Sequence, residues 1–301
     1  MRLALLLTAS LVLTAAALAG NPPDPVETHV VATGSAPCGT DVGKGAVWVG
    51  VYGTGKLLRL DPTSGRVTRR IPVGSWACRV ALDGKAAWVT RDRAGVLVRV
   101  DLNAGRRQSF EVGASPFDVI LAAGAIWVTS FDMGTVARID PATRRLTRVY
   151  KGGPNPAGLA FCGGRIWVGH GRSATSLTSI DPSTHRLRRL DVGTKSPGWP
   201  RCVYGQLWVT TPKAVLKIDA RSGKVLARLR LGGTPAEAAA GPDGLVWITD
   251  KERSVVHRIH AKRVVVVNSF AAGPGAFSLA RADGAMWITS FAGADIRRYE
   301  R

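Results

Sequence analysis

The chain has 301 residues, of which 46% are hydrophobic and 21% charged, and its formal net charge is +20. This composition excludes a disordered or low-complexity protein and is typical of a folded one. A length that would usually give two domains can form a single domain in a closed all-β repeat array. The excess of basic residues suggests affinity for anionic polymers or surfaces.

The first 19 residues predict a secretory signal peptide, because a 16-residue apolar run ends in the small-residue site Ala17-Leu18-Ala19. A membrane anchor is the alternative, although 16 residues are short for a span of about 20. Residues 20–25 (GNPPDP) then form a short leader. We therefore expect a mature protein that is secreted or periplasmic, in the cell envelope, with no transmembrane segment after signal removal.

A strand-like segment without a tryptophan opens the mature chain, and seven tryptophans then recur at intervals of 39 to 41 residues. Self-similarity at this period is the signature of a repeat architecture. A large flat side chain at one fixed position fills the wedge between neighbouring repeats, so we expect these residues in the core rather than in a ligand site. The seven positions are Trp48, Trp88, Trp127, Trp167, Trp208, Trp247 and Trp287.

Each repeat divides into four short strands: an inner strand, the tryptophan strand, a strand that in several repeats ends in Asp-Pro, and a basic outer strand. Four antiparallel strands in about 40 residues are the content of one propeller blade. The sequence therefore predicts one all-β domain, residues 26–301, that is a seven-bladed β-propeller. The basic outer strands either protect blade edges against aggregation or face an anionic polysaccharide, wall polymer or membrane surface.

The two ends of the chain predict how the ring closes. The last repeat stops at Arg301, after its third strand, whereas residues 27–33 are strand-like and precede the first repeat. We expect this N-terminal strand to pair beside residues 296–299 and to complete the seventh blade. A ring closed in this way leaves no half-blade with an exposed edge.

Four cysteines in an exported protein favour two disulfides over metal ligation, since no pair has the Cys-x-x-Cys spacing of a zinc site. They allow three pairings. Cys38 and Cys78 both lie ten residues before their tryptophan, and Cys162 and Cys202 lie five and six residues before theirs. These equivalent places in adjacent blades predict the bonds Cys38–Cys78 and Cys162–Cys202, and we predict no metal site.

The repeat pattern Gly-x-x-Trp-[Val/Ile]-[Thr/Gly], then Arg-[Ile/Val]-Asp-Pro, then Gly-x-x-Pro, resembles two groups of secreted seven-bladed propellers: the YVTN type and the streptogramin B lyase (virginiamycin B lyase) family. The copy at residues 241–250 (GPDGLVWITD) is most similar to the lyase repeat. The resemblance implies a carbon–oxygen lyase that opens an ester with a histidine base and a Mg²⁺ ion on the top face. The weak catalytic candidates are His170, the one histidine expected on that face, and Glu237.

In such a ring, the loops after the tryptophan strands and the loops between blades meet on one face, where function usually gathers. Trp76 near Arg79, and Trp199 near Arg201, would each place a flat ring beside a guanidinium, which suits sugar, aromatic or anionic ligands. Alternatively, several rings plug the top of the central channel. The predicted binding residues are Tyr52, Trp76, Arg79, Phe117, Asp118, Phe131, Asp132, Trp199, Arg201, Asp250, Phe277 and Phe291.

The first functional interpretation is an exported, non-catalytic monomer that binds a small molecule, a sugar or an anionic envelope polymer through these loops. It needs no cofactor and reads no nucleic-acid sequence. The alternatives are a streptogramin-type lyase or related hydrolase, for which Mg²⁺ would be required, and a basic scaffold that adheres to the envelope.

Overall fold

The computed structural model describes residues 22–301, which form seven four-stranded antiparallel sheets arranged as the blades of a closed ring. The predicted seven-bladed β-propeller is therefore confirmed. The helical content of the described residues is one short 3₁₀ turn, Asp92–Ala94. The predicted signal peptide lies outside the described residues. Within residues 22–301 no helix has the length and apolarity that a membrane-spanning segment needs.

The inner half of each blade consists of its first and second strands. The first strands line the central channel and are β2 (Pro37–Gly43), β6 (Ala77–Leu82), β10 (Pro116–Ala122), β14 (Pro156–Cys162), β18 (Trp199–Val203), β22 (Pro235–Ala240) and β26 (Ala276–Ala282). The second strands carry the repeated tryptophans and are β3 (Ala46–Val51), β7 (Ala86–Arg91), β11 (Ala125–Ser130), β15 (Arg165–His170), β19 (Gln206–Thr211), β23 (Val246–Asp250) and β27 (Ala285–Ser290).

The outer half of each blade carries most of the basic residues. The third strands are β4 (Lys56–Leu60), β8 (Val96–Asp101), β12 (Thr135–Ile139), β16 (Ser176–Ile180), β20 (Ala214–Ile218), β24 (Val255–His260) and β28 (Asp295–Glu300). The fourth strands are β5 (Val67–Pro72), β9 (Arg107–Glu111), β13 (Leu146–Lys151), β17 (Leu187–Asp191), β21 (Val225–Arg230), β25 (Val265–Ala271) and, for the seventh blade, β1 (Val26–Ala32).

The seven repeated tryptophans are among the largest buried side chains of the core, and each is at most 3% exposed. Trp48 of the first blade packs against Val89 and Val98 of the second, and Trp287 packs against Val49 of the first. Each ring therefore fills the wedge between two blades, as the repeat predicts. Burial of 150–250 Å² per ring is worth about 4–6 kcal/mol as an upper estimate.

The N-terminal strand closes the ring as predicted. Strand β1 pairs antiparallel with β28, with Val30 opposite Arg297 and Val31 opposite Ile296. The described part of the expected leader, residues 22–25, has no regular secondary structure but is bound to the sixth blade. The carbonyls of Pro22 and Pro23 accept hydrogen bonds from the Arg258 guanidinium at 2.7 and 2.8 Å.

Both predicted disulfides are present. Cys38–Cys78 joins the first and second blades with a Cα–Cα distance of 4.9 Å, and Cys162–Cys202 joins the fourth and fifth with one of 5.4 Å. Disulfides persist in oxidising compartments, so the two bonds are compatible with an extracellular protein.

The residue two positions after the tryptophan connects most neighbouring blades. Thr129 accepts a hydrogen bond from the Asp118 backbone N–H at 2.9 Å and donates one to the Ala157 carbonyl of the next blade at 2.8 Å. In the first and fourth blades this position is Gly50 or Gly169, where a Cβ would lie 2.1 Å from a carbonyl oxygen of the next blade. The two disulfides therefore join the two blade pairs in which glycine takes the place of this threonine.

Candidate functional site

The first strand of each blade runs along the central channel, and the second strand runs back beside it. In the second blade, for example, Ala77 lies opposite Arg91 at one end, and Leu82 lies opposite Ala87 at the other. We call the face at which the first strands begin the top face, and the face at which they end the lower face. The blade-joining loops lie on the top face.

Three aromatic rings close the channel at the top face. The Phe117 and Trp199 rings are stacked with centroids 5.4 Å apart, and the Trp199 and Phe277 rings meet edge to face at 5.9 Å. The three residues belong to the third, fifth and seventh blades, which are not neighbours in the ring. Side chains from separated blades can meet only across the axis, so the rings cover the mouth of the channel.

Three further rings extend this cover over the top face. Phe131 lies 5.0 Å from Phe117, while Phe291 lies 6.0 Å from Phe277 and 6.3 Å from Tyr52. All six rings are partly buried. We call them the ring platform, which consists of Tyr52, Phe117, Phe131, Trp199, Phe277 and Phe291.

Two cations flank the ring platform. The Lys251 ammonium lies 4.7 Å from the centroid of the Phe291 ring, and the guanidinium carbon of Arg172 lies 5.3 Å from that of Phe131. Lys251 is exposed and, among residues 22–301, has no carboxylate within 4 Å. Arg172 lies 3.6 Å from the exposed Asp132 carboxylate. The platform therefore presents ring faces together with positive charge.

The fifth blade differs from the others in a way that places Trp199 over the axis. In the third blade, Phe117 and Asp118 form a bulge opposite Thr129. In the fifth blade, Trp199 pairs directly with Thr210 and the strand continues without a bulge. In the fifth blade, Trp199 alone therefore lies opposite the threonine, whereas two residues lie opposite it in the third blade.

Four charged side chains lie directly beneath the ring platform. The Arg79 guanidinium carbon is 4.3 Å from the Trp199 ring centroid, and Arg79 Nη1 is 2.5 Å from a Glu237 carboxylate oxygen. Arg201 contacts the same Glu237 oxygen and lies 3.3 Å from Asp118. We call Arg79, Asp118, Arg201 and Glu237 the charge network; it contains two positive and two negative groups.

Within the charge network, the buried Glu237 and the partly buried Arg201 stay ionised. Burial alone would raise the pKa of Glu237, but the guanidinium groups of Arg201 and Arg79 outweigh it and lower that pKa to about 2. Burial lowers the pKa of Arg201, and the carboxylates of Glu237 and Asp118 more than reverse this and raise it. Asp118 and Glu237 also accept the backbone N–H groups of Leu159 and Leu279 in the next blades, at 2.8 and 3.3 Å.

The charge network does not fit the Mg²⁺ ion that a lyase would need. Magnesium prefers a set of oxygen ligands with accessible lone pairs, whereas Asp118 and Glu237 are engaged with arginines and backbone N–H groups. No group of three or more His, Cys, Asp or Glu side chains that could hold a metal ion occurs in the described part of the chain.

The expected pairing of Trp76 with Arg79 is wrong. Strand β6 directs Arg79 into the channel, where its guanidinium lies under Trp199 and Phe277. Trp76 precedes that strand, in the loop, with a positive φ of 64°. It has no ring or cation contact in residues 22–301. The Arg201 guanidinium does lie near Trp199, at 5.8 Å from the ring centroid.

His170 does not lie on the surface of the top face, contrary to the expectation from the repeat. Its side chain is fully buried at the end of β15, and Nε2 is 2.9 Å from the Gly152 carbonyl and 3.3 Å from the Thr178 hydroxyl. Burial lowers its pKa more than the hydrogen bonds to the backbone of Gly152 and Ser176 raise it. This geometry is that of a neutral structural histidine that links two chain segments.

Asp250 is also buried rather than displayed on the top face. Its Oδ1 accepts the backbone N–H groups of Thr234 and Arg253 at 3.0 and 2.9 Å, which holds the loop after β23. Its Oδ2 lies 3.5 Å from His257 Nε2. His257 belongs to β24, the third strand of its blade, so this pair lies away from the axis. Burial lowers the pKa of His257 more than Asp250 raises it.

Below the charge network the channel is open and forms a cavity of about 390 Å³. Sequence reasoning missed its lining residues Asp41, Leu121 and Phe161. Asp41 lies seven residues before Trp48, as Arg201 does before Trp208. The equivalence of these two positions in their repeats could have identified Asp41 as a residue that faces the channel. Burial raises the pKa of Asp41 to about 6, although the backbone N–H groups of Val42 and Leu82 act in the opposite direction.

Comparison with known proteins relates the fold to three solved structures. A streptogramin B lyase structure is 16% identical, with a TM-score of 0.77, over 91% of this chain and 98% of that one. A catalytically inactive virginiamycin B lyase from Staphylococcus aureus with quinupristin is 15% identical, with a TM-score of 0.80, over 92% and 99%. Hydrazine synthase from Kuenenia stuttgartiensis is 17% identical, with a TM-score of 0.78, over 91% and 98%.

No protein-family model and no curated protein matches the sequence. TM-scores of 0.77–0.80 over more than 90% of each chain establish a shared fold, at sequence identities of 15–17%. The chain is therefore a seven-bladed β-propeller with remote structural similarity to streptogramin B lyase.

Proposed function

We propose that this protein is an exported, non-catalytic propeller that binds a ligand or partner through the ring platform. The ligand is one that presents a flat or apolar ring face together with negative charge, such as an acidic sugar of an envelope polysaccharide. The observation that carries the proposal is the run of six rings across the mouth of the channel, flanked by Lys251 and Arg172.

Ring and charge on the platform support this ligand class. Aromatic faces stack on the apolar face of a sugar ring, and an exposed lysine beside them attracts a carboxylate. Lys251 already covers two rings, at 4.7 Å from Phe291 and 5.6 Å from Phe277. An anionic ligand could draw this flexible ammonium group aside and stack on the rings that it covers.

Export is part of the proposal and rests on two features. The first 19 residues have the pattern of a secretory signal peptide. The two disulfides suit an oxidising compartment. Fractionation of the natural host, with N-terminal sequencing of the protein recovered, tests this part: a cytoplasmic protein that retains Met1 would contradict it.

Binding to polygalacturonate, an acidic polysaccharide, and to uncharged dextran tests the ligand class by affinity electrophoresis. We expect retardation by polygalacturonate alone. Lys251→Ala and Phe291→Ala should each weaken binding about fivefold, which corresponds to roughly 1 kcal/mol.

The matched control is Lys262→Ala, which removes an exposed lysine on the lower side of the same blade. It should leave binding unchanged. If Lys262→Ala weakened binding as much as Lys251→Ala, attraction between the whole basic surface and the polymer would replace the platform as the explanation. That outcome would favour the third interpretation, a basic scaffold on the envelope.

The alternative function is a streptogramin-type lyase or a related hydrolase. The whole-chain similarity to virginiamycin B lyase, a protein solved with quinupristin, favours it. Against it, His170 is buried and the channel carboxylates are engaged with arginines. A general base must reach its substrate, and a metal-assisted elimination needs carboxylates that converge on one ion.

Incubation with quinupristin and Mg²⁺, with mass spectrometry of the products, tests the alternative. Our proposal predicts no ring-opened product at an enzymatic rate. Turnover that His170→Ala abolishes would establish the lyase function instead.

A further inference from the structure

The lower half of the central channel is a closed-ended cavity. The charge network and the ring platform block it above, because the Arg79 guanidinium lies directly under the Trp199 and Phe277 rings. Leu121 and Phe161 line the cavity and are 41% and 42% exposed, so it opens to solvent at the lower face. Its volume of about 390 Å³ lies within the range of small-molecule sites, about 300–1,000 Å³.

The walls of the cavity are mostly aliphatic, with Asp41 among them, and its inner end is formed by charged groups. Leucine, isoleucine and valine side chains of the second, third, fourth and seventh blades form the walls. The charge network forms the inner end, so a molecule entering from the lower face would pass the aliphatic side chains and Asp41 before it reached the charge network.

Hydrogen-bonding capacity at the inner end is unbalanced in favour of donors. Arg79 is 3% exposed, and its Nε and Nη2 have no hydrogen-bond partner among residues 22–301. The acceptors are in use: Asp118 binds the N–H groups of Val119 and Leu159, and Glu237 binds both arginines and the Leu279 N–H. A buried donor without a partner costs free energy that a ligand acceptor could recover.

We propose that this cavity is a binding site for a small monocarboxylate with an apolar body, whose carboxylate binds the free N–H groups of Arg79. The apolar body would lie between the aliphatic walls, near Leu121 and Phe161 at the opening. The site is separate from the ring platform, and it holds whether or not the platform binds a polysaccharide.

Isothermal titration calorimetry with three probes tests the chemistry of the site: octanoate, octylammonium and acetate. We expect octanoate to bind and acetate to bind at least tenfold more weakly because it lacks the apolar body. We expect octylammonium not to bind, because its own N–H donors would face the unpartnered N–H groups of Arg79 at the inner end. Equal affinity for octanoate and octylammonium, or no binding of octanoate at millimolar concentration, would refute the proposal.

Two variants test the location. Arg79→Lys keeps the positive charge beside Glu237 but removes the guanidinium fork, and it should weaken octanoate binding about tenfold. Leu121→Asp places a negative charge at the opening without touching the charge network. It should weaken binding about fivefold, and it keeps the test decisive if Arg79→Lys does not fold.

Two matched controls complete the experiment. Leu226→Asp changes a leucine that is 47% exposed on the outer strand β21, and it should not affect octanoate binding. Lys251→Ala, which weakens polysaccharide binding if the platform is a site, should also leave octanoate binding unchanged. A loss of octanoate affinity in Leu226→Asp equal to that in Leu121→Asp would place the ligand outside the cavity.

Discussion

The two ends of the central channel are built by the same seven first strands, yet one is closed and the other open. At the top face, Phe117, Trp199 and Phe277 meet over the axis. At the lower face, Leu121 and Phe161 are partly exposed and leave a cavity. The repeated backbone therefore does not decide where the channel opens; a few side chains that differ between blades decide it.

Glycine makes this difference possible at two positions. A Cβ at Gly39 would lie 2.9 Å from the Arg79 backbone, and one at Gly158 would lie 2.9 Å from the Trp199 ring. Such distances are shorter than normal carbon–carbon contacts. The absence of side chains in the first and fourth blades thus leaves room for the large side chains of the second and fifth.

The charge network separates the two ends, and its disruption should have the largest effect. Glu237→Gln leaves the buried Arg79 and the partly buried Arg201 with one carboxylate, which should lower the free energy of unfolding by about 3–5 kcal/mol. Urea denaturation measures this. The control is Glu252→Gln, an exposed residue of the same blade, and a similar loss in both variants would show that Glu237 has no special role.

Removal of the central ring tests the closed end. Trp199→Ala takes away contacts with Phe117, Phe277 and Arg79 and should cost about 2–3 kcal/mol of unfolding free energy, less than a fully buried tryptophan would. Trp76→Ala, in a loop of the same face, should cost less than about 1 kcal/mol. Equal costs would mean that the rings do not support one another. Thermal and urea unfolding provide the comparison.

Asp41, at the open end of the channel, should make the free energy of unfolding depend on pH. Its pKa is raised from 3.8 to about 6, so between these values the folded protein retains a proton that the unfolded chain has lost. Stability contributed by this group is therefore present below about pH 4 and declines as pH rises to about 6. The decline should amount to about 2 kcal/mol.

Asp41→Asn should remove this decline, whatever its effect on stability at low pH. Urea unfolding from pH 4 to pH 7 gives the free energy of unfolding of both proteins. Subtracting one from the other cancels the contributions of all other titrating groups. A constant difference across this range would contradict the assignment.

The smallest effect is expected at the edge of the ring platform. Lys251→Ala should change the free energy of unfolding by no more than about 0.5 kcal/mol, because an exposed cation near a ring contributes little. A thermal melt measures this. A larger loss would mean that Lys251 holds the closed end together and is not available to a ligand.

The sequence by itself determined the repeat and the main consequences of that repeat. The period of the tryptophans, the missing last strand and the equivalent cysteines led to seven blades, ring closure by β1 and both disulfides. These features depend on local periodicity and on equivalence between repeats, which a sequence displays directly. The aromatic character of the top face was visible for the same reason.

Only the tertiary structure decided which side chains meet. Arg79 contacts Trp199 and Glu237, more than 100 residues away, because the ring brings separated blades to one axis. Because the fifth blade has no bulge, Trp199 points over the axis. His170 is buried at the end of β15 and is therefore not on the surface. Contacts across the axis have no period in the sequence, so the closed and open ends of the channel appear only once the ring is formed.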